Sequence, residues 1–332
     1  MHSRMYKLKC IRPVLLLLAR QHSTHYNGRS ILANNTEVLA EDIYKSIVRR
    51  DDNIIVLNKP VGLSVYGSTL NNVSSESASI NDVLPELREK LEIPHLEIGL
   101  SLKSFYSGLV ILCCGPDSKK ELEHVLKQSA AQKSQIFSYL VLSVGQPSCS
   151  QETDLTAYIM RDFFHGREMS IIQEKNNSAR KTGSMMSAAF NVRTLQANED
   201  LGVALLEVSI NRDKWEAVEA LMSHYLSPVL GDCVYSTRTQ YVMGVPFRAS
   251  AHSVLPGPQR LPPALNKALE EFDPTWQRNS GSMPLFMHRH KIHLNKFPSK
   301  NSPPLNLTAP LPNHFVSLLK HLNLYTNSIV DK

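Results

Sequence analysis

Several short apolar runs, separated by turn residues, constrain what this 332-residue chain can fold into. Residues 108–114 (GLVILCC) form the strongest run, and an apolar run of this length is typical of a strand buried on both faces of a sheet. Residues 54–57 (IIVL) and 138–144 (SYLVLSV) have the same character. Residues 188–194 and 202–210 are expected to pair as antiparallel strands. Helical patterns lie between these strands, so the sequence predicts a mixed α+β domain.

The balance of residues is that of an ordinary globular protein. Apolar residues make up 42% and charged residues 20% of the chain, which is enough apolar material to bury a core. The net charge of +6 is compatible with a polyanionic partner, although a basic excess of this size also serves solubility alone. Basic residues that are candidates for phosphate contacts are Arg161, Arg167, Arg180, Lys181, Arg238 and Arg248. The sequence does not show whether they converge.

The five cysteines, Cys10, Cys113, Cys114, Cys149 and Cys233, show neither C-x-x-C spacing nor pairing with histidine. An odd number without such spacing indicates a reducing compartment, with no disulfide framework and no zinc site. Cys113 and Cys114 end the apolar run and are expected to be core residues.

The N-terminus has the composition of a mitochondrial presequence. The first acidic residue is Glu37, and the basic residues before it are Arg4, Lys7, Lys9, Arg12, Arg20 and Arg29. The apolar run at residues 14–19 is too short to span a bilayer, which needs about 20 residues. This composition predicts import into the mitochondrial matrix. We expect residues 1–38 to be presequence and disordered lead-in, residues 39–325 one domain, and residues 326–332 a tail.

Six segments carry a set of motifs in a fixed order. They are residues 52–65 (DNIIVLNKPVGLSV), 100–109 (LSLKSFYSGL), 138–145 (SYLVLSVG), 228–235 (PVLGDCVY), 285–292 (LFMHRHKI), and 309–312 (APLP) followed by Phe315. Together they resemble the RluA-type RNA pseudouridine synthases, in their mitochondrial branch, over roughly residues 45–322. The resemblance implies the pseudouridine synthase fold, in which a mixed, largely antiparallel sheet is flanked by helices around a central RNA cleft. It also implies RNA as the partner, and chemistry that uses no metal and no cofactor.

One position departs from the family pattern where the chemistry takes place. In the family the second segment reads His-Arg-Leu-Asp-x-x-Thr-Ser-Gly-Leu, and its Asp acts as nucleophile or base at the junction of sugar and base. Aligned on residues 107–109 (SGL), the Asp position is Lys103 in this chain. An ammonium has the opposite charge and no free lone pair, so it cannot reproduce the role of the carboxylate.

A second departure mirrors the first. The family has an Arg that pairs with the catalytic Asp, and counting back from Gly231 without gaps places that Arg position at Glu219. The charges at both positions are opposite to those of the family, so we expect Lys103 and Glu219 to form an inverted ion pair. The alternative is that each side chain turned to solvent independently. A substitute acid, Glu97, lies upstream, but it would need several extra residues before Ser107.

The resemblance also assigns the remaining site residues. Tyr139 stands at the position of the family's active-site Tyr. Candidates for RNA contacts are Asn58 and Lys59 in the first motif, Lys214 at the Thr-Gly-Arg position, and His288 in the late strand. For His288 the alternative is a structural role in the core.

These observations favour a pseudouridine synthase-like RNA-binding protein of the mitochondrial matrix. We expect it to act in the maturation of mitochondrial rRNA or mRNA, or in ribosome assembly, without RluA-type catalysis and together with other mitochondrial RNA-processing proteins. Two alternatives stay open. One is an active uridine-to-pseudouridine isomerase with an unorthodox site, or one completed by a partner. The other is a protein–protein scaffold that no longer contacts RNA. Measured pseudouridine formation would distinguish the active isomerase from the RNA-binding protein. Salt-dependent RNA binding would distinguish the RNA-binding protein from the scaffold.

Overall fold

The computed structural model describes residues 36–67, 78–151, 155–164, 167–274, 283–299 and 301–326. The α-helices in this part of the chain are α1 (Thr36–Lys45), α2 (Leu84–Leu91), α3 (Pro116–Ala131), α4 (Asn177–Lys181), α5 (Ala217–His224), α6 (Pro263–Phe272) and α7 (Asn313–His321). The strands are β1 (Ile47–Arg50), β2 (Ile54–Lys59), β3 (Glu97–Leu100), β4 (Ser107–Cys113), β5 (Phe137–Val144), β6 (Leu155–Phe164), β7 (Arg167–Gln173), β8 (Met185–Asn198), β9 (Val203–Ile210), β10 (Thr239–Val242), β11 (Val245–Arg248), β12 (Met287–Leu294) and β13 (Leu305–Thr308). Short 3₁₀ turns lie at Ser148–Gln151 and Ser236–Arg238.

One 11-stranded sheet organises the molecule. Its strand order is β1-β2-β4-β12-β5-β9-β8-β6-β7, with β3 paired to β4 and β13 paired to β12. Neighbouring strands run antiparallel, except that β4 and β12 are parallel. β10 and β11 form a separate hairpin. The described residues therefore form an α+β fold with a mixed, largely antiparallel sheet, as the sequence predicted.

The central strands are buried on both faces, which explains their uninterrupted apolar sequences. Every residue of β4 is buried. Successive residues of β5 enter two different cores, because side chains alternate across a strand. Tyr139 and Val141 face the larger core, while Leu140 and Leu142 face a second core beneath α6 and α7. The predicted buried strands are confirmed.

The stretch from residue 147 to 183 contains regular secondary structure although no continuous apolar run marks it in the sequence. It contains β6 and β7, which pair antiparallel and end the sheet on the side opposite β1, and the short helix α4. Only part of β6 is buried, including Ala157, Ile159 and Phe164. Because this edge hairpin carries many polar residues, it lacks the continuous apolar run that marks the central strands.

Helix α5 begins at Ala217 and includes Glu219, and Glu216 at its N-cap makes no side-chain capping hydrogen bond. Trp215 and Glu216 have φ values of 62° and 52°, in the left-handed region that bulky L residues rarely adopt. The side chain of Asp213 is therefore available for contacts outside the helix.

Most of the predicted presequence, residues 1–35, and most of the predicted tail, residues 327–332, lie outside the described residues. Residues 36–38 belong to α1. Among the helices that the structure describes, none has the length and apolar character needed to cross a membrane.

Candidate active site

Gly108, the second residue of β4, lies directly against Arg289 of β12. Its φ is +117°, and a Cβ at this position would lie 2.3 Å from the backbone oxygen of Arg289 on β12. Glycine alone accepts both the backbone angle and the close approach of the two parallel strands. The guanidinium of Arg289 then donates hydrogen bonds to the carbonyls of Ser101 and Leu109, each at 3.2 Å. The loop at residues 101–106 is thereby attached to the centre of the sheet.

Lys59 holds the same loop from the other side. Its ammonium is fully buried, and its three N–H donors lie within hydrogen-bond distance of four backbone carbonyls. The acceptors are Pro60 (2.8 Å), Leu63 (3.0 Å), Ser104 (3.3 Å) and Tyr106 (2.6 Å). Burial, and then the charge of Arg289, lower the pKa of Lys59. The prediction that Lys59 contacts RNA does not fit this burial, since no part of the side chain reaches solvent. Asn58 donates to the carbonyl of Pro310 at 2.9 Å and ties β2 to the segment before α7.

Lys103 forms its ion pair with Glu216, not with the predicted partner Glu219. The Lys103 Nζ lies 2.5 Å from Glu216 Oε1, and Tyr235 donates a hydrogen bond to Glu216 Oε2, also at 2.5 Å. The side chain of Lys103 is 43% exposed and that of Glu216 is 19% exposed, so the pair lies at the mouth of the site. The prediction failed because Glu216 stands before the helix in a left-handed conformation and points at the loop.

Glu219 lies deeper, in the first turn of α5. It is 3% exposed and accepts a hydrogen bond from the hydroxyl of Tyr106. Within the described part of the chain its second oxygen, Oε2, has no hydrogen-bond partner. Burial, and then the charge of Glu216, raise the pKa of Glu219 to about 8, although Lys103 and Tyr106 act in the opposite direction. Glu219 is therefore largely protonated near neutral pH, unlike an ordinary carboxylate.

A second charged group lies at the base of the site. Arg289 is 1% exposed, and its Nε donates to the hydroxyl of Tyr139 at 2.9 Å. The same guanidinium forms an ion pair with Asp213, and Tyr139 also donates to Asp213, at 2.5 Å. Burial raises the pKa of Tyr139 well above its usual range. The structure thus places the predicted residue Tyr139 beside Asp213 and Arg289, which the sequence reasoning missed. The sequence offered one signal for Asp213. It directly precedes Lys214, so it stands where the family's Thr-Gly-Arg motif has its Gly.

His288 and Lys214, both predicted to contact RNA, differ in position. His288 is fully buried, and its Nδ1 lies 2.9 Å from the Ser107 hydroxyl, while its Nε2 lies 3.4 Å from the carbonyl of Ala309. Burial, and then the charge of His290, lower the pKa of His288 to about 3. The neutral ring therefore links β12 to β4, in line with the structural alternative. Lys214, by contrast, is exposed immediately before Trp215 and is available to a ligand.

The site therefore combines the accessible ammonium of Lys103 with three carboxyl groups. Asp213 is held by an arginine, Glu216 by a lysine and a tyrosine, and Glu219 is buried beside Tyr106. Among the described residues there is no group of three or more His, Cys, Asp or Glu side chains placed to hold a metal ion. The cation at position 103 can attract a phosphate or a carbonyl oxygen, but it cannot act as an anionic nucleophile.

Comparison with known proteins gives a consistent set of relatives. No family model matches the sequence. The chain is 26% identical over 290 residues to the Homo sapiens protein named Mitochondrial mRNA pseudouridine synthase RPUSD3, covering 87% of this chain and 79% of that protein. It is 24% identical over 327 residues to the Danio rerio protein named Pseudouridylate synthase RPUSD4, mitochondrial, covering 94% and 83% of the two chains.

The solved structure of Human RNA Pseudouridylate Synthase Domain Containing 4 matches this chain with a TM-score of 0.65 at 21% identity. The match covers 88% of this chain and 98% of that chain. At this identity the likeness shows the fold, which is that of the pseudouridine synthases. The predicted fold is therefore confirmed.

Proposed function

Because the chain belongs to the RluA-type pseudouridine synthase family, in its mitochondrial branch, we propose that it binds mitochondrial RNA and acts in its maturation without RluA-type catalysis. Its setting is the mitochondrial matrix, and its RNA is an rRNA or an mRNA. The relatives that support this setting are named for mitochondrial pseudouridine synthases, one of them for mRNA. The resemblance implies a family reaction without metal or cofactor, so any catalysis by this chain would depend on the side chains of the cleft alone.

The observation that carries the proposal is the ion pair between Lys103 and Glu216 at the catalytic position of the family motif. The group that attacks at the sugar–base junction must be an anion with a free lone pair. Lys103 offers neither. The nearest carboxylate, Glu216, already contacts an ammonium and a phenol, and Glu219 is buried with a raised pKa.

The test is pseudouridine mapping on mitochondrial RNA from cells that lack the protein. The cells are rescued with the wild type or with Lys103→Ala, each at matched protein levels. We expect no pseudouridine to depend on the protein, while mitochondrial RNA levels or ribosome assembly fall in its absence and recover with either rescue. A pseudouridine that the wild type restores and Lys103→Ala does not would overturn the proposal, because position 103 would then matter to modification.

RNA binding is tested separately, with purified protein and single-stranded RNA. The affinity should fall linearly on a log–log plot against salt concentration, because phosphate contacts release counterions. Absence of any salt-dependent binding would support a protein–protein scaffold instead.

A second candidate, an active isomerase with a relocated site, is favoured by one observation. Asp213 and Arg289 give the cleft a carboxylate–arginine pair next to Tyr139, although not at the motif position. In the same rescue experiment this candidate predicts a pseudouridine that wild type and Lys103→Ala restore and Asp213→Asn does not. Asp117→Asn, at a carboxylate that is 96% exposed, is the matched control.

A further inference from the structure

A pocket lies near His224, the last residue of α5, whereas the candidate active site lies at the other end of that helix. It has a volume of about 220 Å³. Side chains that line it include Arg238, Arg248, Ser250, His252, Asp162 and Phe164. Two of the scattered basic residues that the sequence offered for phosphate contacts therefore converge on one cavity. Clefts for drug-sized ligands usually measure about 300–1,000 Å³, so this pocket suits a smaller group.

Arg238 is buried and forms no ion pair within the described residues. It is 8% exposed, and its Nε is buried with no hydrogen-bond partner among the described residues. None of the ion pairs found within the described ranges involves Arg238 or Arg248. A buried guanidinium left in this way costs free energy, and an anion in the pocket would offset that cost.

Arg248 is oriented by a neutral group rather than by an acid. Its Nη1 donates to the ring Nδ1 and, at 3.4 Å, to the carbonyl of His224, the last residue of α5. Burial, and then the charges of Arg248 and Arg238, lower the pKa of His224 to about 4, so the ring stays neutral and accepts the hydrogen bond. The carboxylate of Asp162 also lines the pocket, where one oxygen accepts a hydrogen bond from the backbone N–H of Phe163. Two cations then face one anion, and the pocket keeps a net positive charge.

The surroundings of the pocket favour RNA as the source of the anion. Helix α5 connects the pocket to the cleft, since Glu216 precedes its first residue and His224 is its last. Eight helical residues span about 12 Å, so a single strand could contact both places.

We propose that Arg238 and Arg248 bind a backbone phosphate of the RNA, at a second contact point on the strand that enters the cleft. This inference rests on the proposed RNA-binding function and adds a particular site to it. The phosphate accepts hydrogen bonds from both guanidinium groups. The pocket contributes affinity rather than sequence selectivity, because phosphate contacts carry no direct sequence information.

The first test compares Arg248→Gln with Arg49→Gln in salt titrations of binding to single-stranded RNA. Arg49 is the matched control, because it lies on β1 at the opposite end of the sheet and its removal changes the net charge equally. One lost phosphate contact should reduce the salt slope by about 0.7 and the affinity at low salt several-fold. Asp162→Asn should tighten binding. An unchanged slope in Arg248→Gln, with the wild type binding RNA normally, would overturn the inference.

The second test does not depend on RNA. Inorganic phosphate should raise the Tm of the wild type and of Arg49→Gln above the value in chloride at equal ionic strength, and it should not raise that of Arg248→Gln. If the wild type binds no RNA, the proposed function fails, and this measurement alone decides whether the pocket binds phosphate. Equal phosphate stabilisation of all three proteins would reject the pocket.

Discussion

The ammonium of Lys103 lies 2.5 Å from one oxygen of Glu216, and the other oxygen of that carboxylate accepts a hydrogen bond from Tyr235. This contact joins three separate motifs: the loop before β4, the start of α5, and the Gly-Asp-x-x-Tyr block. Lys103 therefore links the loop before β4 to the start of α5.

The strength of this link can be measured by a double-mutant cycle. Because the side chain of Lys103 is 43% exposed, solvent screens the pair, and we expect a coupling energy of about 0.5–1 kcal/mol between Lys103→Met and Glu216→Gln. Urea unfolding of the wild type, both single variants and the double variant gives this value. A coupling energy indistinguishable from zero would show that the pair does not contribute to stability.

Glu219 should make stability depend on pH. Its pKa in the folded protein is about 8, above the value of 4.5 for an ordinary Glu, so between these two pH values the folded state binds a proton that the unfolded state has lost. The free energy of unfolding therefore falls as pH rises through this window, by up to about 1.4 kcal/mol per pH unit. The variant Glu219→Gln should remove that contribution. The measurement is the difference between wild type and variant at pH 5, 6.5 and 8, since other titrating groups cancel in the difference. A difference that does not change with pH would contradict the raised pKa.

Removing the carboxylate of Asp213 should leave the buried charge of Arg289 uncompensated. We expect Asp213→Asn to cost about 3–5 kcal/mol of the free energy of unfolding. Tyr139→Phe, which removes one hydrogen bond from the same cluster, should cost about 1–3 kcal/mol. Denaturant unfolding checks both values. If the asparagine variant were no less stable than the phenylalanine variant, the Arg289–Asp213 pair would not be the main contact of the cluster.

Gly108 provides a test of the contact between β4 and β12. In Gly108→Ala the new Cβ would meet the backbone oxygen of Arg289 at 2.3 Å, with the backbone at a φ of +117°. The strands must separate or the turn must change, so we expect a loss of at least about 4 kcal/mol, or no folded protein. Gly257→Ala is the control, because nothing lies within 4 Å of a Cβ there, and its effect should stay within about 1 kcal/mol. Far-ultraviolet circular dichroism and soluble yield distinguish the two variants.

The parts of the fold that could be predicted from the sequence are those with a local signal. The run at residues 109–112 is apolar without interruption because β4 is buried on both faces. Gly231 was recognised in a motif, and the structure supplies the reason: a Cβ there would lie 2.1 Å from the carbonyl oxygen of Pro284. Asp232 of the same motif accepts the backbone N–H groups of Val234 and Tyr235, as a turn residue does.

The parts that could not be predicted depend on contacts between distant segments. Counting back from Gly231 placed the family's Arg position at Glu219 and so paired that residue with Lys103. In the structure Trp215 and Glu216 have left-handed conformations before the helix begins, and Glu216 contacts Lys103 instead. The burial of Lys59 has no local signal either, because its four acceptors lie on two separate loops. A lysine in a motif of an RNA-binding family is naturally assigned to RNA, and only the tertiary structure places it inside.

The buried ammonium of Lys59 has a consequence for how this site can evolve. The hydrogen-bond acceptors that it holds are backbone oxygens, including those of Ser104 and Tyr106, so the course of the loop does not depend on which side chain stands at position 103. A change of one codon there reverses the charge in the cleft while the main chain keeps its path. Lys59 therefore holds the path of the main chain around position 103, whereas the side chain at that position sets the charge that the cleft presents there.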